Sequence, residues 1–119
     1  MLVPDRVFSP WIKIHGEEDF IVLYNDRDNC AKLSFYHDET KLYLEDVTDI
    51  HLVIDKNVYI NNIYGFFDID TSSGTVFFVL KRHLKSLLPK GKLKAQVILF
   101  TRKHTYGCVW SDNLKIEIR

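Results

Sequence analysis

Near the end of the chain, Leu114, Ile116 and Ile118 alternate strictly with Lys115, Glu117 and Arg119. Successive side chains of a β-strand point to opposite faces, so this spacing describes a strand with one apolar and one wetted side. A helix would scatter the same residues around its circumference. The pattern recurs upstream. Leu93, Ala95, Val97 and Leu99 share one face of the run 92–102, and Ile50, Leu52 and Ile54 share one face of 49–55. The run 92–102 and the final run are separated by the polar Lys103-His104-Thr105-Tyr106-Gly107 and read as a hairpin.

Shorter runs rich in aromatic and β-branched residues fill the rest, which favours strands over helices. They are 11–15 (WIKIH, ended by Gly16), 19–24 (DFIVLY), 31–36, 41–44 (a short strand or an extended approach to one), 58–60, 63–69 and 75–80 (TVFFVL). Runs 19–24 and 75–80 are apolar on both faces and are expected to be central strands. Turn chemistry separates them: Asn25-Asp26-Arg27-Asp28-Asn29, His37-Asp38-Glu39-Thr40, Asn61-Asn62 and Asp70-Thr71-Ser72-Ser73-Gly74. One helix is expected near 82–88, where Leu84, Leu87 and Leu88 form a stripe that Pro89 and Gly91 end. About seven to nine strands with one short helix describe an all-β sandwich. Residues 1–10, with Pro4 and Pro10, are expected to be an extended segment, and 11–119 a single domain.

At 119 residues the chain has the size of one domain. With 46% hydrophobic and 27% charged residues it has the means to build a core. Sixteen basic and sixteen acidic side chains cancel, which argues against a general grip on nucleic acid or on an anionic membrane surface. No apolar run approaches the roughly 20 residues that span a bilayer as a helix. Met1-Leu2-Val3-Pro4-Asp5-Arg6 lacks the cationic flank and apolar stretch of a secretory signal. Cys30 and Cys108 form no CxxC pair and read as two part-buried thiols.

Catalytic and metal chemistry finds little support. Asp68, Asp70 and Ser72 alternate like the start of a calcium loop, yet Ser73 stands where that loop needs glycine and Val79 where it needs glutamate. A turn closed by Gly74 is the better reading. His15, His37, His51, His83 and His104 are scattered without metal-ligand spacing. The carboxylates of Gly16-Glu17-Glu18-Asp19 and Asp26-Arg27-Asp28 lie in turns, and no nucleophile elbow or phosphate loop is present. No enzymatic activity, metal or cofactor is expected. Lys81, Arg82, Lys85, Lys90, Lys92 and Lys94 form a local basic region read as a solvated face.

Aromatic residues make up 13% of the chain. Phe20, Phe66, Phe67, Phe77, Phe78 and Phe100 fall inside strand runs and are core candidates. Trp11, Tyr36, Tyr43, Tyr59, Tyr64, Tyr106 and Trp110 join an apolar body to a polar tip, which suits protein interfaces, and they are the candidate contact residues. The doublets Phe66-Phe67 and Phe77-Phe78 put one ring on each face of a strand, so a second layer or a partner must meet the outward ring.

The order of segments resembles the N-terminal domain of phage baseplate upper proteins, an immunoglobulin-like sandwich. Gly16-Glu17-Glu18-Asp19 precedes the apolar Phe20-Ile21-Val22-Leu23, and Leu44-Glu45-Asp46-Val47-Thr48-Asp49 leads into Ile50-His51-Leu52-Val53-Ile54. Asp49 stands where that family carries glycine. Asp70 to Gly74, the strand 75–80, the stripe 84–88 and the long strand opened by Gly91 continue the family's order. The resemblance implies an immunoglobulin-like antiparallel fold. It also implies a structural role in a phage tail or baseplate, a place in the virion, and association with copies of itself or other virion proteins. Two other readings fit a compact chain with exposed aromatics. One is a small phage or bacterial protein that inhibits a host enzyme; the other is a carbohydrate-binding module using Tyr106 and Trp110.

Overall fold

The computed structural model describes residues 10–16, 18–24, 29–80 and 89–119. They form two sheets laid face to face over a shared core. The first sheet holds, in spatial order, β1 (Pro10–Ile14), β3 (Asn29–His37), β8 (Thr75–Leu80) and β7 (Phe67–Asp70), with the two-residue β4 (Thr40–Lys41) paired to the end of β3. The second holds β2 (Ile21–Leu23), β10 (Cys108–Ile118), β9 (Gly91–Thr101), β5 (Val47–Ile54) and β6 (Asn57–Ile60). Every pairing is antiparallel except that of β2 with β10. The architecture is thus the expected all-β sandwich, antiparallel but for the β2–β10 pair, with ten strands described instead of seven to nine.

Alternation becomes burial as the sequence implies. Leu33 and Phe35 of β3, and Val76 and Phe78 of β8, are fully buried from one side. Ile50, Leu52, Val97, Leu99 and Ile116 meet them from the other. Each such side chain contributes about 1.5–3 kcal/mol by leaving water. The predicted β9–β10 hairpin is present, and β8 is central, flanked by β3 and β7.

β10 departs from strict alternation. Its register against β9 shifts between Val109 and Ser111 and again between Ser111 and Leu114. Each shift inserts one residue and turns the following side chains over; two restore the original phase. Trp110 and Leu114 therefore both point into the core, while Asp112, midway between them, is exposed.

Several expectations are corrected. Run 19–24 is not central: β2 is an edge strand of three residues whose backbone pairs with β10 alone. Its apolar character arises because Ile21 and Leu23 enter the core where the two sheets meet, and Phe20 and Val22 are half-covered. Run 63–69 is not one strand. Asn61–Tyr64 forms a short helix, α1, and Gly65 ends it at φ 69°. The Asn61 side chain then accepts from the Phe67 N–H at 2.6 Å and donates to the Phe67 carbonyl at 2.9 Å, fixing the start of β7. Phe66 and Phe67 consequently both pack inward, with ring centroids 6.0 and 5.2 Å from that of Phe78. Pro10 belongs to β1 opposite His37 and not to an extended leader; an edge strand tolerates its missing N–H. The helix expected near 82–88 lies outside the described residues.

Asp70 closes a turn. Its carboxylate accepts from the Ser72 hydroxyl (2.6 Å), the Ser72 N–H (3.1 Å) and the Ser73 hydroxyl (3.0 Å). Those bonds, Ser72's first, hold its carboxyl below the usual range. Cys30 and Cys108 are free thiols on different sheets.

Candidate functional site

Three of the seven aromatic candidates converge on the outer face of the first sheet. Trp11 of β1 lies opposite Tyr36 of β3, which in turn lies opposite Lys41 of β4. Residues directly opposite in an antiparallel ladder share a face. The Trp11 and Tyr36 rings stack with centroids 4.5 Å apart and planes 13° from parallel. Trp11 Nε1 donates to the Asp38 carbonyl at 2.6 Å, in the tight β3–β4 turn where Asp38 takes φ 54°. From inside, Trp110 Nε1 donates to the Tyr36 carbonyl at 3.1 Å. Tyr36 is thus held by one indole on its ring and another on its backbone.

The strip continues to Tyr43, with Lys41 Nζ 6.0 Å from that ring's centroid. Trp11 and Tyr43 remain 42% and 48% exposed. A two-sided turn supports this end. A Cβ at Gly74, in the β7–β8 turn, would lie 2.9 Å from the Leu42 carbonyl oxygen and 3.1 Å from Tyr43 Cδ1. The segment carrying Tyr43 therefore rests directly on a glycine.

Beside the strip lies a basic group. Lys13 is opposite Ser34, and Lys32 is the next outward residue on β3. Ser34 is fully buried although it faces outward, and its Oγ is hydrogen-bonded to His15 Nε2 at 2.7 Å. Loss of water at the imidazole, then the nearby charges of Lys13, Lys32 and Lys41, hold the His15 pKa below its usual value. A pH dependence follows. In the unfolded chain His15 takes up its proton near pH 6.5, while the folded protein resists it. Its contribution to stability is therefore whole above about pH 6.5 and falls away as pH drops toward the lower folded value. Urea midpoints measured from pH 8 to 5 should decline less for His15→Gln than for the wild type. Equal slopes would remove His15 from the account.

The remaining candidates are placed elsewhere. Tyr59 and Tyr64 meet edge to face at 5.9 Å and lean on Phe66, bridging the α1 corner to the core. Tyr106 is 98% exposed in the β9–β10 turn. Trp110 is 7% exposed and belongs to the core. Tyr106 and Trp110, paired in the carbohydrate reading, thus occupy very different settings. The lysines and His15 escaped the sequence reading because they come together only through strand register.

On the second sheet, Lys92, Lys94 and Lys115 line an open groove of ≈ 650 Å³ with Phe20 and Glu117. His51 lies on that sheet's outer face, its ring 4.2 Å from Phe100 and its Nε2 3.4 Å from Asp49 Oδ2. Asp49 also accepts from the Asn62 N–H at 3.1 Å, tying α1 to β5. Among the described residues, no three His, Cys, Asp or Glu side chains gather as a metal site.

No family model and no curated protein matches the chain. Among solved structures, it is similar to one described as Clostridium thermocellum CbhA fibronectin(III)-like modules, at 13% identity and a TM-score of 0.44. The match covers 95% of this chain and 48% of that one, so the chain spans about half its length.

Proposed function

We propose that this chain is a non-enzymatic association module, a structural component of a phage tail or baseplate, and that the Trp11–Tyr36–Lys41–Tyr43 strip is its contact surface. In this reading it works in the virion, needs no cofactor, and engages protein surfaces, its own copies included, in place of nucleic acid or membrane. The observation that carries the proposal is an exposed but firmly seated aromatic strip on the outer face of a sheet. Rigid aromatic groups lose little freedom on docking and supply much of the energy of protein contacts. The segment order shared with baseplate proteins supports the setting.

Trp11→Ala and Tyr43→Ala test it. Incorporation into purified tail particles should fall severalfold for each. The melting temperature should change little for Tyr43→Ala and fall modestly for Trp11→Ala, which loses a ring stack worth about 1 kcal/mol of stability. Undiminished incorporation of both folded variants would defeat the proposal.

A further inference from the structure

The outer face of the first sheet carries opposite charges on opposite edges. Strand register lays out its rows. Lys13, Ser34, Thr75 and Asp70 follow one another across β1, β3, β8 and β7. Lys32, Phe77 and Asp68 follow one another across β3, β8 and β7. Lys13 and Lys32 are exposed on one side, Asp68 and Asp70 on the other. Between them lie the buried Ser34 and the half-buried Thr75, Phe77 and Val79. Phe77 is the outward ring of its doublet; Phe78 is the inward one.

A face with a basic edge, a weakly polar to apolar middle and an acidic edge is complementary to itself, but only in one orientation. Two copies meeting face to face are related by a twofold axis lying in the contact plane. An axis running across the strands would set each edge on its own counterpart, lysine against lysine. An axis running along the strands exchanges β1 with β7 and β3 with β8. Lys13 then faces Asp70 of the second copy, Lys32 approaches the Phe77 ring and Asp68, and Tyr36 approaches Lys41. Face-packed sheets ordinarily keep their strands within about 30° of each other, which this axis respects.

We infer that this face mates with the same face of a second copy, about a twofold axis along the strands, with the Lys13–Lys32 edge of each over the Asp68–Asp70 edge of the other. This rests on the association reading above and names the partner. Because the contact is closed by symmetry, it ends at a dimer and does not propagate as a filament. Every charge contact is made twice, so each reversal counts twice.

The experiment uses three full-length proteins: wild type, Lys32→Glu, and Asp68→Lys. All changed residues are exposed, so circular dichroism and melting should stay close to wild type. Light scattering over a concentration series should show a wild-type dimer, and each variant alone should dissociate about tenfold more readily or worse. A one-to-one mixture of the two variants should recover dimers, because the new glutamate of one then faces the new lysine of the other, while the native Lys32 and Asp68 still meet at the second contact. A dimer indifferent to both reversals overturns the inference. So do two weakened variants that fail to recover on mixing, and a wild type that stays monomeric at every soluble concentration. In the last case the association proposal is judged separately, by the tail-particle incorporation of Trp11→Ala and Tyr43→Ala.

Discussion

Phe78→Ala should cost about 3–5 kcal/mol of folding stability, the loss expected for removing a large buried ring. Phe78 is fully buried on central strand β8, stacked toward Phe66 at 6.0 Å and met edge-on by Phe67 at 5.2 Å. Phe66 leads on to Tyr59 and Tyr64 at 5.6 and 6.1 Å. One ring thus joins the centre of the core to the α1 corner, and its removal strips contacts from two other phenylalanines that cannot close the gap independently. A domain of this size has about 5–15 kcal/mol in total, so the variant should lose a large share of its stability. Guanidinium unfolding followed by tryptophan fluorescence measures this directly. A loss below about 1 kcal/mol would mean that the core repacks around the gap, and that the contacts do not carry the weight assigned to them.

Gly74→Ala should cost about 2–4 kcal/mol, from two causes that add. At φ 70° the residue occupies the left-handed region, which strains any residue with a Cβ. The new methyl would also lie 2.9 Å from the Leu42 carbonyl oxygen, a backbone atom that cannot swing aside as a side-chain tip can. Relief requires lifting the 41–43 segment, which carries Lys41 and Tyr43. The substitution should therefore reduce stability and, on the proposed role, incorporation into tail particles as well. Gly65→Ala is the control: it shares a positive φ of 69°, yet its Cβ would meet nothing within 4 Å. It should show the conformational cost alone and leave the strip untouched. Equal losses for the two variants would show that crowding at Gly74 is unimportant.

Much of this fold was legible in the chain, and the legible parts share a cause. The faces of β5, β9 and the end of β10 were readable because alternation with one solvated side is enforced residue by residue. The turn at Asp70 to Gly74 was readable because Asp, Ser and Gly act locally on their own backbone. The misreadings at β2 and at 63–69 arose where the decisive interactions were distant or depended on one side chain. An apolar run looks the same whether it lies at a sheet's centre or at its edge, sealed by the opposite layer. Asn61 and Asn62 suggest a turn, but that Asn61 would clamp Phe67 and send both phenylalanines inward depends on a partner six residues away.

The candidate site was half legible. Its aromatic members were in the pool because of their chemistry, and Trp110 was in the same pool because nothing local distinguishes an indole that docks from one that supports. The tertiary structure decides that matter: Trp110 shares the inward phase of Cys108 and Leu114 and holds Tyr36 from beneath.

By itself the sequence settled that the chain folds as layered strands, which side of most of them is oily, and that its charges balance. Only the tertiary structure decided which strands are neighbours, and hence that Trp11 meets Tyr36, that three lysines crowd His15, and that acidic and basic edges frame one sheet face. The reason is physical. Side-chain alternation assigns a residue to a face, but strands pair through backbone N–H and carbonyl groups that every residue but proline supplies alike. The choice of neighbour and register is therefore left to the packing of the whole.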